Sequence, residues 1–337
     1  MTKIIYFDVE QDEYNFLKDA NEGKYDYFLA EKSLNKLERL PLEFKDADII
    51  SCFTTSRIDE TVLEQFNNLK LIALRSVGYN HVDLTYCKEN NIEVVNTPNY
   101  GNKSVAEFAF GLMLDVCRKI TKSHLAFRDV KQNHQFLIGS ELGGKTVGIV
   151  GLGAIGKEFA KLAYGFEMKI LGYDLKEDVE LKKIYDIEYV DFETLLSQSD
   201  FISLHAPLTN HNYHLFDSSA FGKMKSNAVL INTARGELID TQALYNAITQ
   251  GKISGAGLDV LESEEAISDS DYLVDIGRLN NCTLQQTVLN TRLQQLDNVV
   301  ITPHIAYNTH EAIYRILETT MFNINSFVNG NVENSVY

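Results

Sequence analysis

The chain reads as an α/β protein of two domains, each built on a parallel sheet. Three observations predict this. Apolar runs of strand length alternate with helix-period segments along its course. A glycine-rich strand–turn–helix begins only near residue 146, so what precedes it is long enough to be a domain of its own. Finally, 337 residues, 45% of them hydrophobic and 23% charged, suffice for two ordinary cores.

In the first block the apolar runs predict strands at Ile4–Asp8, Ile49–Phe53, Leu71–Arg75 and Glu93–Asn96, with a helix at Asp59–Phe66 among the segments between them. Thr97-Pro98-Asn99-Tyr100-Gly101-Asn102 is a turn-rich break. A helical run, Ser104–Asp115, follows; it is apolar on nearly all sides and is expected to be buried, with another subunit as a candidate cover. The second block predicts strands at Thr146–Val150, Lys169–Tyr173, Phe201–His205, Ala228–Asn232, Gly255–Val260 and Val299–Thr302. Ala47-Asp-Ile-Ile-Ser51 and Ser199-Asp-Phe-Ile-Ser203 echo each other as an acid before a buried strand, a recurring local grammar and not a repeat. Residues 262–295 open with an acidic run and turn Leu-, Gln- and Asn-rich, which predicts a partly helical surface excursion.

Composition excludes several classes. A net charge of −16 argues against nucleic acid and anionic membranes as partners, though a local cationic site can still take an anion. No apolar run has the length a membrane helix needs. Met1-Thr-Lys-Ile-Ile-Tyr-Phe-Asp8 enters a strand directly, without signal-peptide character. Cys52, Cys87, Cys117 and Cys282 lack paired spacing, so they are expected to be reduced thiols of a cytoplasmic protein.

The glycine turn carries the first chemistry. Gly151-Leu-Gly153-Ala154-Ile155-Gly156 follows one apolar strand and opens an amphipathic helix; a second strand ends at Asp174, 18 residues after Gly156. Gly151 suits the tight turn, Gly153 the approach of a pyrophosphate, and Gly156 close helix–strand packing. The helix N-terminus offers N–H groups to the phosphates. A carboxylate at Asp174 accepts from both ribose hydroxyls and repels a 2′-phosphate, which favours NAD over NADP.

Four further segments end strands of the second block, where open α/β sheets bind ligands. They are Leu204-His205-Ala206-Pro207-Leu-Thr209, Ile231-Asn-Thr233-Ala234-Arg235-Gly236, Gly257-Leu-Asp259-Val-Leu-Glu262-Ser-Glu264 and Thr302-Pro-His304-Ile-Ala-Tyr307. Hydride transfer to a ketone needs a proton donor, for which histidine is suited near neutral pH. A carboxylate on its other nitrogen would orient it. Arginine clamps the carboxylate of a 2-oxo acid with two parallel bonds. With the nicotinamide doing the redox step no metal is required. His211 and His214 have metal-like spacing but no accompanying carboxylate or cysteine cluster, so they are read as part of a solvated loop.

Together these segments resemble the D-isomer-specific 2-hydroxyacid dehydrogenases over nearly the whole chain. The motifs Asn232-Thr-Ala-Arg235-Gly-Glu-Leu-Ile-Asp240, Gly255-Ala-Gly-Leu-Asp259-Val and Thr302-Pro-His304 carry the resemblance, with Arg75-Ser-Val77-Gly78-Tyr79-Asn80-His-Val-Asp83 and Asn96–Glu107 upstream. It implies two Rossmann-like or flavodoxin-like domains: a substrate domain of residues 1–100 plus 301–337, an NAD-binding domain of 101–300, and an active site in the cleft between them. It implies Arg235 as the carboxylate-binding residue, His304 as acid/base and Glu264 as its partner. Val77 and Gly78 would hold the substrate carboxylate through main-chain N–H groups, with Tyr100 and Tyr307 beside the substrate. Gly151, Gly153, Ala154, Ile155, Gly156, Asp174, His205, Ala206, Pro207, Asn212, Thr233, Ala234 and Asp259 would contact NAD.

Tyr100, Tyr307 and the long Glu264–His304 segment resemble the D-lactate dehydrogenase branch, which implies pyruvate reduction to D-lactate in a homodimer joined through the Rossmann domain. Phenylpyruvate, 2-oxoisocaproate, hydroxypyruvate and glyoxylate are the alternative substrates. An NAD-sensing corepressor is the alternative of another class, which the intact Arg235, Glu264 and His304 set disfavours. Glu264 also argues against formate dehydrogenase activity.

Overall fold

The computed structural model describes residues 1–37, 39–128, 137–263 and 281–337, with 128 and 281–284 as backbone only. Two compact units divide the chain: Met1–Tyr100 with Asn308–Tyr337, and Gly101–Tyr307.

The first unit runs β1 (Lys3–Tyr6), α1 (Gln11–Asn21), β2 (Asp26–Leu29), β3 (Ile49–Cys52), α2 (Glu60–Leu63), β4 (Leu71–Leu74), α3 (Leu84–Glu89) and β5 (Glu93–Val95), and closes with a C-terminal helix, His310–Val328. Its five strands are all parallel, in the order β2-β1-β3-β4-β5, the flavodoxin-like arrangement. Strand alternation sends Ile4 and Tyr6 to one face, where Leu17 and the C-terminal helix residues Leu317, Met321 and Ile324 cover them. Ile5 and Phe7 go to the other face with Phe44, Leu63 and Cys87. Both faces are therefore dry, which is why β3 and β4 are apolar throughout apart from Ser51.

The second unit runs α4 (Asn102–Arg118), α5 (Ile120–Arg128), β6 (Thr146–Val150), α6 (Ala154–Gly165), β7 (Lys169–Tyr173), α7 (Val179–Tyr185), β8 (Ile187–Tyr189), α8 (Phe192–Gln198), β9 (Phe201–Leu204), α9 (Ser218–Lys223), β10 (Val229–Asn232), α10 (Thr241–Thr249), β11 (Gly255–Leu258), α11 (Asn281–Gln294) and β12 (Val299–Ile301). Its seven parallel strands are ordered β12-β11-β10-β9-β6-β7-β8. The order reverses between β6 and β9, the switch point of a Rossmann sheet. The unit extends past the expected boundary at 300 because the 302–306 segment bonds to Leu258 and Asp259 within it. Asp178, Asp191, Asp217 and Asp240 each cap a helix here by accepting N–H bonds in its first turn. Four of the 47 acidic side chains thus serve helix ends in this unit.

Several elements differ from the sequence reading. β2 and β8 were not anticipated; both are edge strands, short and partly exposed, without the continuous apolar signal of central strands. The helix expected at Asp59–Phe66 is α-helical only over Glu60–Leu63 and then tightens through the i→i+3 bonds Gln65 N–H to Val62 and Phe66 N–H to Leu63. Most strands stop a residue or two early, where the chain turns into a loop. α4 is longer than expected and not apolar all round. Ala106, Ala109, Phe110, Met113 and Cys117 are buried, while Lys103, Glu107, Gly111 and Arg118 form an exposed stripe. Phe110 meets Phe159 of α6 at 5.6 Å between ring centroids, so its apolar face is covered inside its own unit.

The acid-before-strand echo has one structural job in both units. Asp48 accepts from the Lys3 N–H at 3.0 Å and Lys70 Nζ at 2.8 Å. Asp200 accepts from the Thr146 N–H at 2.9 Å and Lys225 Nζ at 3.1 Å. Each ties the start of a central strand to the start of its neighbour. Partial burial pushes both carboxyls up, and the lysine and N–H partners more than undo it, leaving both below the usual carboxylate range.

Candidate active site

The second unit offers a dinucleotide cradle at its switch point. Gly151 has φ +90°, and a Cβ there would stand 2.7 Å from the Ala206 nitrogen. A Cβ on Gly156 would stand 2.0 Å from the Gly151 carbonyl oxygen. Both positions therefore require glycine: the first to bring the β6 turn against the β9 turn, the second to seat α6 on β6. Gly153 differs, since a Cβ there meets nothing within 4 Å among the described residues. It is the N-cap of α6 and supplies no side-chain cap, whereas an aspartate caps each of α7 to α10. The first-turn N–H groups of α6, with Ala154, Ile155 and Gly156, are thereby left to an anionic ligand. Asp174 ends β7 with one oxygen accepting from the Leu152 N–H at 2.6 Å and the other from the Lys176 N–H at 3.3 Å. Main-chain bonds fix this half-buried carboxylate beside the turn.

The loop after β9 departs from a simple reading. His205 turns its ring inward: Nε2 lies 2.9 Å from Ser203 Oγ, and the ring packs 4.9 Å from Phe159. Its Nδ1 is buried with no partner among the described residues. Burial pushes its pKa down to about 3, so the imidazole is neutral. What His205 and Ala206 present at the glycine turn is main chain. Pro207 is exposed. The Asn212 amide staples this loop, accepting from the Thr209 N–H at 2.7 Å and donating to the Pro207 carbonyl at 2.8 Å.

β10, β11 and β12 are consecutive in the sheet, and their carboxyl ends carry Arg235, Asp259 and His304. Asn232, fully buried, accepts from the Ala234 N–H at 2.9 Å and donates to the Arg235 carbonyl at 2.8 Å, so it shapes the turn that presents Arg235. Arg235 is half-buried, with Nη1 donating to the Ala234 carbonyl at 2.6 Å. Thr233 lies between, its Oγ1 buried and without a partner among the described residues. Such a hydroxyl costs about 1–3 kcal/mol until something bonds to it, which suits a ligand group at this strand end.

Asp259 is the anchor of the last turn. It is 1% exposed and accepts three bonds: Thr302 Oγ1 at 2.5 Å, the Ile305 N–H at 3.0 Å and the Ala306 N–H at 2.8 Å. Burial pushes its carboxyl up; the Thr302, Ala306 and Ile305 donors and the nearby His304 pull it part of the way back. His304 sits inside this grip with left-handed backbone, φ +54°, and its N–H bonds the carbonyls of Asp259 and Thr302. Its side chain is exposed. Glu264, the expected carboxylate partner, lies outside the described residues.

His214 is not a bystander in a solvated loop. Its Nε2 lies 2.9 Å from Glu262 Oε1, while His211 is exposed. No cluster with metal-binding character occurs among the described residues.

In the first unit the loop after β4 is held by its carbonyls. Ser76 Oγ donates to the Gly78 carbonyl at 2.7 Å and Asn96 Nδ2 to the Val77 carbonyl at 2.8 Å. Val77 itself is exposed. The fully buried Arg75 just before it pairs with Glu13 at 3.3 Å and donates to the Phe7 and Asp8 carbonyls, both at 2.7 Å. Arg75 thus ties the end of β4 to the end of β1 and to α1, a role its place in the motif did not reveal. Tyr100 and Tyr307 are half-buried, and the Tyr100 carbonyl accepts from Arg315 Nε at 2.7 Å.

Comparison with known proteins bears on the family. Residues 110–306 match the family model for the NAD-binding domain of D-isomer-specific 2-hydroxyacid dehydrogenases. The chain is 39% identical to a glyoxylate reductase of Thermofilum pendens, over 87% of this chain and 82% of the relative. It is 34% identical to a D-lactate dehydrogenase of Escherichia coli, over 97% of both. The crystal structure of an Aquifex aeolicus D-lactate dehydrogenase complexed with NAD and lactic acid matches with TM-score 0.84 and 35% identity, covering 99% of this chain and 98% of that one. The aspartate-ended Rossmann turn, the family-model match and the nearly full-length likeness to two D-lactate dehydrogenases lead to one conclusion: this chain belongs to the NAD-dependent D-isomer-specific 2-hydroxyacid dehydrogenases.

Proposed function

We propose that this chain reduces a small 2-oxo acid, pyruvate in first place, to the D-2-hydroxy acid, and runs the reverse oxidation. The observation that carries the reading is the set of three adjacent strand ends presenting Arg235, Asp259 and His304 at the same carboxyl edge of the sheet as the glycine turn. NAD, when bound, supplies or takes the two electrons and the hydrogen at C2. Gly153, Ala154 and Ile155 would hold its pyrophosphate and Asp174 its adenosine ribose, with Thr233, Ala234 and Asp259 towards the reacting end. Arg235 binds the substrate carboxylate through two parallel bonds and orients the carbonyl. His304 gives a proton to the oxo oxygen in reduction and removes it in oxidation. Glu264 is proposed to favour its protonated form, and Val77 and Gly78 to add main-chain donors to the carboxylate.

Pyruvate is favoured by the nearly full-length likeness to D-lactate dehydrogenases and by Tyr100 and Tyr307, aromatic residues suited to limiting room around C3. A second reading, glyoxylate or hydroxypyruvate, has support from reductases of those substrates at 39% identity over shorter spans. The test is initial-rate kinetics with NADH across pyruvate, phenylpyruvate, 2-oxoisocaproate, hydroxypyruvate and glyoxylate, with chiral analysis of the product. Pyruvate is expected to show the highest kcat/KM and to yield D-lactate. Glyoxylate ahead by about tenfold or more would select the second reading, and L-lactate would overturn the assignment of Arg235 and His304.

The assembly we propose is a homodimer in the cytoplasm, joined through the second unit. Ile120, Leu125 and Phe127 on α5 and nearby Ile138 are exposed apolar side chains, Phe127 by 83%, and such a patch is what a second copy would cover. Cys52, Cys87 and Cys117 are buried free thiols, as suits a reducing compartment.

A further inference from the structure

We propose that Glu262, held by Tyr213, His214 and Thr241, is a positioning residue for Arg235, acting through the main chain and taking no part in proton transfer. It rests on the reading of Arg235 as the carboxylate-binding residue.

The Glu262 carboxylate is 15% exposed, and its acceptor sites are spoken for. Oε1 accepts from Tyr213 Oη at 3.0 Å and faces His214 Nε2 at 2.9 Å; Oε2 accepts from Thr241 Oγ1 at 3.0 Å. Its carbonyl accepts from Asn290 Nδ2 of α11 at 3.0 Å. Tyr213 and His214 stack on each other at 4.0 Å, so the two donors support one another. An acid held from four directions fixes the chain just beyond β11.

That chain is the wall against which the Arg235 turn rests. A Cβ on Gly236 would stand 2.1 Å from the Leu261 carbonyl carbon and 2.3 Å from the Glu262 nitrogen, so the two backbones are in direct contact. The same network grips the far side of the turn: the His214 N–H donates to the Glu237 carbonyl at 2.9 Å, and Thr241 opens α10 just after it. On the near side Asn232 holds the Arg235 carbonyl. Arg235 therefore issues from a short segment clamped between Asn232 and the Leu261–Glu262 peptide. If the clamp loosens, the guanidinium loses its fixed aim. Binding of the 2-oxo acid then suffers, while cofactor binding and proton transfer do not.

The test is steady-state kinetics on the holoenzyme with pyruvate and NADH, for Glu262→Gln, His214→Asn, Arg235→Lys and the double variant Glu262→Gln/Arg235→Lys. His214→Asn serves if Glu262→Gln fails to fold; His214 is half-buried, its backbone is left-handed, which asparagine tolerates, and the shorter side chain cannot reach Glu262. The expected result is a KM for pyruvate raised about fivefold or more with kcat within about twofold. The NADH Kd and the alkaline limb of the kcat/KM profile stay put, and the Glu262→Gln effect disappears in the Arg235→Lys background. A fall in kcat at unchanged KM overturns the proposal, since that is loss of folded enzyme. A moved alkaline limb also overturns it, by placing Glu262 in proton transfer. Arg235→Lys with wild-type kcat/KM would overturn the reading of Arg235 itself. A damaged Arg235→Lys beside Glu262 and His214 variants of wild-type KM would overturn the positioning role alone.

Discussion

Replacing Asp259 by asparagine tests whether the grip on the His304 turn is what presents the imidazole. The native carboxylate faces donors only: Oδ1 takes Thr302 Oγ1 and the Ile305 N–H, and Oδ2 takes the Ala306 N–H. An amide has one oxygen and one NH2. With its oxygen at the Oδ1 position, the NH2 confronts the Ala306 N–H; flipped, it confronts Ile305, while the Thr302 hydroxyl can rotate to accept. Either way one buried backbone N–H loses a charge-assisted bond, worth about 1.5–3 kcal/mol. Removing a buried charge returns part of this, because burial already raises the Asp259 pKa. The net expectation is a loss of about 2 kcal/mol in stability, with kcat/KM down tenfold or more as the turn shifts. Thr302→Val is the control, since it removes one bond and strands no backbone group, so its cost should stay below about 1.5 kcal/mol. Urea denaturation with unchanged m-values, alongside initial rates, measures both. If Asp259→Asn costs less than about 0.5 kcal/mol and keeps kcat/KM within about twofold, the carboxylate does not hold this turn.

Arg235→Lys keeps the charge and loses the two-pronged geometry, so kcat/KM for pyruvate should fall by about tenfold or more, while calorimetry shows NADH affinity little changed. Asp174→Ser should narrow the preference for NADH over NADPH; equal kcat/KM with the two cofactors before substitution would refute the like-charge argument. If His304 is the proton donor and Glu264 its partner, as proposed, Glu264→Gln should move the alkaline limb of pyruvate reduction to lower pH, because a negative charge favours the protonated imidazole. His205 binds no proton in the fold until about pH 3 but does so near 6.5 once unfolded. The unfolded state therefore gains protons first, and stability falls as pH drops from 6.5 towards 3, by at most about 1.4 kcal/mol per unit. Chemical denaturation at stepped pH should show a shallower decline in His205→Gln, and parallel curves for the two proteins would show that the buried imidazole is not responsible.

The central strands were legible because both faces of each sheet are covered, which forces continuous apolar runs such as Leu71–Leu74 and Thr146–Val150. The edges were not. Asp26-Tyr-Phe-Leu29 and Ile187-Glu-Tyr189 meet water on part of their surface and carry polar or charged residues, so neither periodicity nor apolarity marks them. The paired acids Asp48 and Asp200 were visible as a pattern but not as a bond. Their partners, Lys3 and Lys70, Thr146 and Lys225, are brought near by parallel pairing, which places residues far apart in the chain at the same end of adjacent strands.

The site divides along a similar line. Residue type and strand-end position drew attention to the segments that hold Arg235, Asp259 and His304, because an open sheet collects the carboxyl ends of its strands on one side, while the roles proposed for Arg235, Glu264 and His304 come from the family resemblance. Type and position were not enough to say which way each side chain turns. His205 stands at such an end, yet Ser203 and Phe159 draw its ring into the core, and Asn212 spends its amide on the loop that follows. Conversely, Asn232 looked like strand sequence and holds the turn of Arg235, while Asp259 looked like a ligand contact and grips both sides of His304. A left-handed histidine and a tightly turned arginine are costly to present unless their backbone is held. Arg235 and His304 therefore each have a buried residue, Asn232 and Asp259, on the same or the neighbouring strand end that fixes the main chain. Substituting Asn232 or Asp259 should mimic, at smaller amplitude, the loss of Arg235 or His304.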